Sequence, residues 1–230
     1  MPNANGASTS KSLPPDLERD YLELDAAITA GAAAPLATPE VRSLLLRFGR
    51  LVHDSSASLA LISDGDRPLV YTRHVLDSLN PLSMFTAPPA SALDVGSGAG
   101  FPGIPLAIVW PGTTVVLLES REKKAGFLER AARELGLRNV RVVCGRLEDS
   151  GSDWRVEPVR SVFVRAVGDL PHLLRHAAGR AAPDATWVYF LGAGTDPGPI
   201  VSSLEAMGVR ARVEPGAFGG RLLTGALPVP

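Results

Sequence analysis

Residues 92–105 read Ala-Leu-Asp-Val-Gly-Ser-Gly-Ala-Gly-Phe-Pro-Gly-Ile-Pro, and a helix-length stretch separates them from Thr-Val-Val-Leu-Leu-Glu at 114–119. A short apolar strand carrying Leu93, Asp94 and Val95 therefore runs into Gly96, Ser97, Gly98, Ala99 and Gly100, while a second strand ends in Glu119. Glycines let a backbone approach a ligand with no Cβ in the way. An acid at the end of the following strand can accept hydrogen bonds from a ribose diol. The pair predicts a strand–loop–helix–strand unit that holds a nucleotide-like ligand, with Asp94, Gly96, Gly98 and Glu119 as its first candidate residues.

The remaining pattern extends that unit into a sheet. Strand and helix signals alternate over 91–95, 102–110, 113–119, 121–136, 140–144, 160–166, 169–181, 185–192 and 196–208, with further strands near 209–214 and 221–227. Such alternation predicts an α/β fold with a doubly wound, mostly parallel sheet covered on both faces. Ligands of such sheets bind beyond the carboxyl ends of the strands, where the winding reverses. Ahead of it, helices are predicted from Pro15 to Thr29, from Pro39 behind a Thr38 N-cap, and over Arg67 to Phe85 with a break at Asn80-Pro81. The expected organisation is a disordered tail at 1–12, an N-terminal helical extension at 13–86 and the ligand-binding domain at 87–230.

Two cofactor readings compete, beside a turn that binds nothing. Gly98, Gly100 and Gly103 satisfy the dinucleotide spacing G-x-G-x-x-G, but Pro102 and Pro105 flank the third glycine, so the helix starts near Pro102. Counted from the strand end, Asp94, Gly96, Gly98 and Gly100 instead give Asp-x-Gly-x-Gly-x-Gly, which resembles motif I of class I methyltransferases that use S-adenosyl-L-methionine. That cofactor has no pyrophosphate and carries a sulfonium cation, so an acid beside the loop is sensible.

Bulk properties narrow the class. The chain has 230 residues, 45% hydrophobic and 20% charged, with no apolar run approaching a membrane span. The polar N-terminus suggests neither signal nor transit peptide, so a cytoplasmic monomer is expected. The single cysteine, Cys144, follows Val143 at a strand end and reads as a core residue; it excludes an internal disulfide or a cysteine-based metal cluster. Although the net charge is −1, residues 121–146 hold eight bases against three acids. That surplus could contact phosphates or simply be a solvated face stitched by pairs such as Glu129–Arg133.

The stretches Arg73-His74-Val75-Leu76-Asp77-Ser78-Leu79, Leu93 to Pro105, Arg121-Glu122-Lys123-Lys124 with Phe127-Leu128, Arg146-Leu147-Glu148 and Val164-Arg165-Ala166 resemble the bacterial small-subunit (16S) rRNA methyltransferase G family, of which the chain looks like a divergent member. The resemblance implies a class I methyltransferase fold, Rossmann-like, and methyl transfer from S-adenosyl-L-methionine to N7 of a guanine in 16S rRNA or a small ribosomal subunit precursor. By matched position it implies cofactor contacts at Gly96, Phe101, Leu147, Glu148 and Arg165, with Phe101 packing apolar parts of the cofactor and Leu147 and Glu148 near its adenine. Buried packing for Phe101 and a surface ion pair for Arg165 compete with those roles. His74 and Asp77, one turn apart, are substrate-side candidates whose alternative is helix packing. The chain departs from the family pattern at His53–Leu61, at Gly192-Ala193-Gly194, where no lysine follows Leu191, and at its C-terminus.

Guanine N7 offers an in-plane lone pair and loses no proton, so no general base and no catalytic residue is expected beyond groups that hold the reactants in line. No metal-ligand spacing is evident, and no metal is expected. Methylation of a small molecule or protein, or a non-catalytic cofactor-binding role in ribosome assembly, remain the competing readings.

Overall fold

The computed structural model describes residues 13–31, 36, 38–149, 158–166 and 168–227; the tail expected at 1–12 lies outside them. Seven strands form one sheet: β1 (Ser91–Val95), β2 (Thr114–Glu119), β3 (Val140–Cys144), β4 (Val159–Arg165), β5 (Ala181–Leu191), β6 (Arg212–Pro215) and β7 (Arg221–Ala226). Their order is β3-β2-β1-β4-β5-β7-β6. The pairs from β3 through β5 are parallel and β7 is antiparallel to both its neighbours. The winding reverses between β1 and β4, and the registers Val95–Leu118, Glu119–Cys144, Val95–Val164 and Arg165–Phe190 bring four strand ends level. That level edge is where a ligand is expected.

Alternation along each strand splits the interior in two. Ala92, Val115 and Leu117 face one apolar cluster, which takes in α1 (Pro15–Ala30), α2 (Pro39–Leu59), α3 (Gly103–Val109) and α4 (Glu122–Leu135). Leu93, Val95, Val116 and Leu118 face the other, built with α5 (Leu170–Ala178) and α6 (Gly198–Glu205). All seven residues of α3 are buried, which explains why it is apolar all round. On α4, Phe127, Leu128, Ala131 and Leu135 are buried while Arg121, Lys123, Arg130 and Arg133 are exposed, and the i,i+4 ion pair that forms is Arg130–Glu134.

Three expectations need correction. The segment 67–85 is not an ordinary helix broken at Asn80-Pro81 but a 3-10 turn (Arg67–Leu69), a wide π turn (Val70–Leu76) and a second 3-10 turn (Asn80–Met84). Asp20 of α1, itself buried, accepts from the backbone N–H of Tyr71 (2.6 Å) and Thr72 (3.1 Å), so the π turn starts on a side-chain cap from a distant helix. Strand β5 starts at Ala181 rather than 185, because the ladder jumps from Val159–Ala181 to Ser161–Thr186 and leaves Pro183, which has no N–H to give, in the bulge. Cys144 is exposed rather than buried, since β3 is the edge strand and its last residue points outward.

Helix α2 ends with Ala60 in the left-handed region at φ 47°. An L side chain there is strained, so Ala60→Gly is expected to raise stability by about 0.5–1 kcal/mol after the entropy lost from the unfolded chain is subtracted. Chemical denaturation would measure this as a shift in midpoint at unchanged slope.

Candidate functional site

Beyond β1 the chain turns back on itself with Gly96 at φ 73°, Gly98 at 55° and Gly100 at 95°. The three glycines are not equivalent. A Cβ on Gly100 would lie 2.9 Å from Ile104 and 3.2 Å from Phe48, and one on Gly103 would lie 2.2 Å from Leu117. Those two glycines serve core packing. A Cβ on Gly98 meets only the Gly96 carbonyl at 3.7 Å and otherwise points into open space. Gly98 is thus held as glycine by its backbone conformation alone, with open space where a side chain would be.

Both candidate acids hold this loop. Glu119, 6% exposed, accepts from Gly98 N–H through Oε2 (2.9 Å) and from Arg121 N–H through Oε1 (2.8 Å). Each oxygen retains a lone pair for a ribose hydroxyl. Asp94 is 1% exposed; its Oδ2 accepts from Gly103 N–H (3.0 Å) at the start of α3, while its buried Oδ1 has no partner. Burial pushes its carboxyl up to about 7, against the opposing effect of the Gly103 hydrogen bond. A carboxylate thereby occupies the helix start that would face a pyrophosphate, which disfavours a dinucleotide and suits a cationic ligand.

On the other side of the winding reversal, Arg165 ends β4. Its guanidinium makes an ion pair with Asp77 (2.7 Å) and donates to the Arg73 carbonyl (3.1 Å). Burial holds it below the usual arginine value, and Asp77 opposes that shift. Asp77 in turn accepts from the amide of Asn80 (2.8 Å). Asn80, 1% exposed, accepts from Phe218 N–H (2.8 Å) and Gly220 N–H (3.2 Å) in the β6–β7 turn, where a Cβ on Gly216 or Gly220 would collide with it. A groove of roughly 650 Å³ opens beside this network, lined by Thr72, Arg73, Asp77, Arg165, Tyr189 and Arg221 among others. At its rim Ala166 sits at φ 55°, a strained conformation for alanine.

Phe101 is 7% exposed, edge-on to Phe48 and stacked on the His74 ring, with centroids 5.2 Å apart in each case. Its ring thus belongs to the apolar cluster beside the loop. His74 is pushed down to about 4, chiefly by burial, so it is neutral at physiological pH; its Nε2 has no hydrogen-bond partner. Leu147 is buried and Glu148 is exposed after β3. Glu148 faces His172 of α5 at 3.0 Å, and His176 lies one turn further on.

Asp94, Gly96, Gly98, Glu119 and Phe101 are thus brought together around one loop. Arg165, Asp77 and His74 flank it across the β1–β4 reversal, with Leu147 and Glu148 beyond β3. Sequence reasoning missed Asn80, which it read only as a helix breaker, and the Glu148–His172–His176 group, where no metal set was expected. A His-x-x-x-His spacing on α5 was the available signal for the latter.

The family model of "GidB: rRNA small subunit methyltransferase G" matches residues 42–194. A ribosomal RNA small subunit methyltransferase G from Acidiphilium cryptum is 36% identical over 166 residues, covering 71% of this chain and 74% of that protein. The protein of the same name from Solibacter usitatus is 48% identical over 110 residues, covering 46% of this chain and 52% of its own length. The chain thus spans about half to two thirds of the first curated relatives that it matches. Among solved structures, a SAM-dependent methyltransferase from Aquifex aeolicus superposes with a TM-score of 0.56 at 18% identity, covering 75% of this chain and 98% of that one. A putative O-methyltransferase from Klebsiella pneumoniae gives 0.55 at 16%, covering 92% and 99%. These superpositions show the class I methyltransferase fold.

Proposed function

The chain belongs to the rRNA small subunit methyltransferase G family, and on that premise we propose that it methylates N7 of a guanine in 16S rRNA of the small ribosomal subunit with S-adenosyl-L-methionine as donor. The observation that carries the reading is the loop of positive-φ glycines that Glu119 closes at the carboxyl ends of β1 and β2, with the carboxylate of Asp94 at the start of α3. Such a loop allows close backbone approach to a ligand, and an acid at that helix start suits a cationic donor better than a pyrophosphate. The donor supplies an electrophilic methyl group on a cationic sulfur.

The residues of the chain do the positioning. Gly96 and Gly98 let the loop lie against the donor, with Glu119 reaching its sugar hydroxyls and Leu147 and Glu148 bordering its base. Phe101 packs in the apolar cluster beside the loop. Arg165, steadied by Asp77, stands at the mouth of the groove in which the target guanine would lie, and His74 shapes that wall as a neutral ring. No residue has to take a proton from the nucleophile, since N7 carries none; holding nucleophile, carbon and sulfur in line supplies several kcal/mol. Unstacking the guanine into the groove accompanies binding, and the exposed Arg121, Lys123 and Arg133 supply phosphate contacts.

No described helix is long and apolar enough to cross a membrane. Only three large hydrophobics are exposed among the described residues, Leu22, Leu69 and Val213, which supports action as a monomer; a cytoplasmic location and a division into an extension at 13–86 and a binding domain at 87–230 belong to the same proposal. Deleting the gene and digesting the small-subunit rRNA to nucleosides tests the substrate. Loss of one N7-methylguanosine, restored by the gene, is expected. Unchanged rRNA would overturn the reading and favour a small-molecule or protein acceptor.

A further inference from the structure

We propose that Glu148, His172 and His176 form a binding site for one divalent transition metal ion of the zinc class. Helix α5 carries the two histidines at i and i+4, hence on one face, with ring centroids 4.3 Å apart. The segment after β3 delivers the carboxylate of Glu148, whose Oε1 lies 3.0 Å from His172 Nε2. One donor atom from each of the three side chains lies within 4.8 Å of the other two, a convergence found nowhere else among the described residues. A tetrahedral zinc holds nitrogen and oxygen ligands at roughly 2.0–2.2 Å, which sets them about 3.3 Å apart. The three side chains are exposed or half-exposed, so their own rotation is open to close that spacing.

The surroundings favour a ligand role over a bare ion pair. An ion pair accounts for Glu148 against His172 but gives no part to the second imidazole. His176 Nδ1 lies 3.0 Å from the His172 carbonyl oxygen, so Nδ1 carries the proton and donates it, leaving the lone pair on Nε2. Orienting a metal-binding histidine through a backbone carbonyl is the usual outer-shell arrangement. Asp169 accepts from the N–H of His172 (3.0 Å) and so fixes the helical turn that presents it. Two neutral imidazoles with one carboxylate select zinc, nickel, cobalt or copper over magnesium or calcium, and three protein ligands leave a fourth position open to water.

The test uses zinc alone on the full chain and does not depend on methyl transfer. Competition against a chromophoric chelator at pH 7.5 is expected to show one zinc bound per chain. His172→Ala and His176→Ala should each weaken it by at least roughly tenfold while the circular dichroism spectrum stays that of the parent. Cys144→Ser and His53→Ala, which alter two zinc-seeking side chains outside this group, should leave affinity unchanged. X-ray absorption of the zinc-loaded chain should show nitrogen and oxygen neighbours and no sulfur. Absence of stoichiometric binding, undiminished binding by the His176→Ala chain, or sulfur in the zinc shell would each overturn the proposal.

Discussion

Gly98→Val is expected to leave the chain folded and to weaken its affinity for S-adenosylhomocysteine by more than about 100-fold, close to 3 kcal/mol. A Cβ there meets no protein atom closer than the Gly96 carbonyl at 3.7 Å, so the cost to the fold is chiefly the backbone strain of φ 55°. That strain is about 1–2 kcal/mol, or a few degrees in Tm for a chain of this size. The branched side chain instead enters the space in which the donor is proposed to lie. Gly103→Ala provides the contrast, because its Cβ would lie 2.2 Å from Leu117 and 2.6 Å from the Asp94 carboxylate, so its loss is in stability. Calorimetry and thermal melts on the two variants separate binding from folding. Near-normal affinity in the valine variant would mean that the loop does not touch the ligand, and tight NAD binding by the parent would reassign the site.

The second large effect concerns Asp94. Its carboxyl is raised to about 7 in the folded chain, by burial first, against roughly 3.9 in an unfolded one. The folded state therefore binds the proton more tightly. Below pH 4 both states are protonated; between pH 4 and 7 stability falls as pH rises; above pH 7 both are ionised and the slope ends. The loss from this group alone is roughly 4 kcal/mol across that window. Asp94→Asn keeps an acceptor for Gly103 N–H and removes the titration, so its stability relative to the parent should climb from pH 5 to pH 8. Urea melts at several pH values measure the trend, and parallel curves would refute it. In the parent, affinity for the sulfonium donor should rise over pH 6 to 8 more than affinity for S-adenosylhomocysteine, which lacks the charge on sulfur.

Much of this site was legible because glycine is demanded by geometry. Gly96, Gly98 and Gly100 all adopt positive φ, and their spacing after an apolar strand announces the loop. The register of the parallel strands then follows from alternation, which is why Glu119 and Arg165 fall at one edge as expected. What stayed hidden depends on contacts distant in sequence. The cap that Asp20 places on Tyr71 and Thr72 spans about fifty residues, so an ordinary helix with a break at Asn80-Pro81 was the natural reading of 67–85. The roles of Gly98 and Gly103 look alike in a motif and differ only in what a Cβ would strike. Cys144 read as core because its strand is apolar, but position at a sheet edge is not written in the strand itself. Glu148 was placed at the site from its likeness to the family, whereas its nearest ionic partner, His172, lies 24 residues on.

Asn80 has a broader consequence. Its amide joins the turn carrying Asp77 to a hairpin tip 140 residues downstream, and the two glycines there leave room for nothing else. The segment ahead of β1 and the β6–β7 hairpin are thereby fastened at one rivet, next to the wall where Arg165 stands. Removing the leading helices would both uncover the apolar sheet face that α1 and α2 share and release the alignment of that wall.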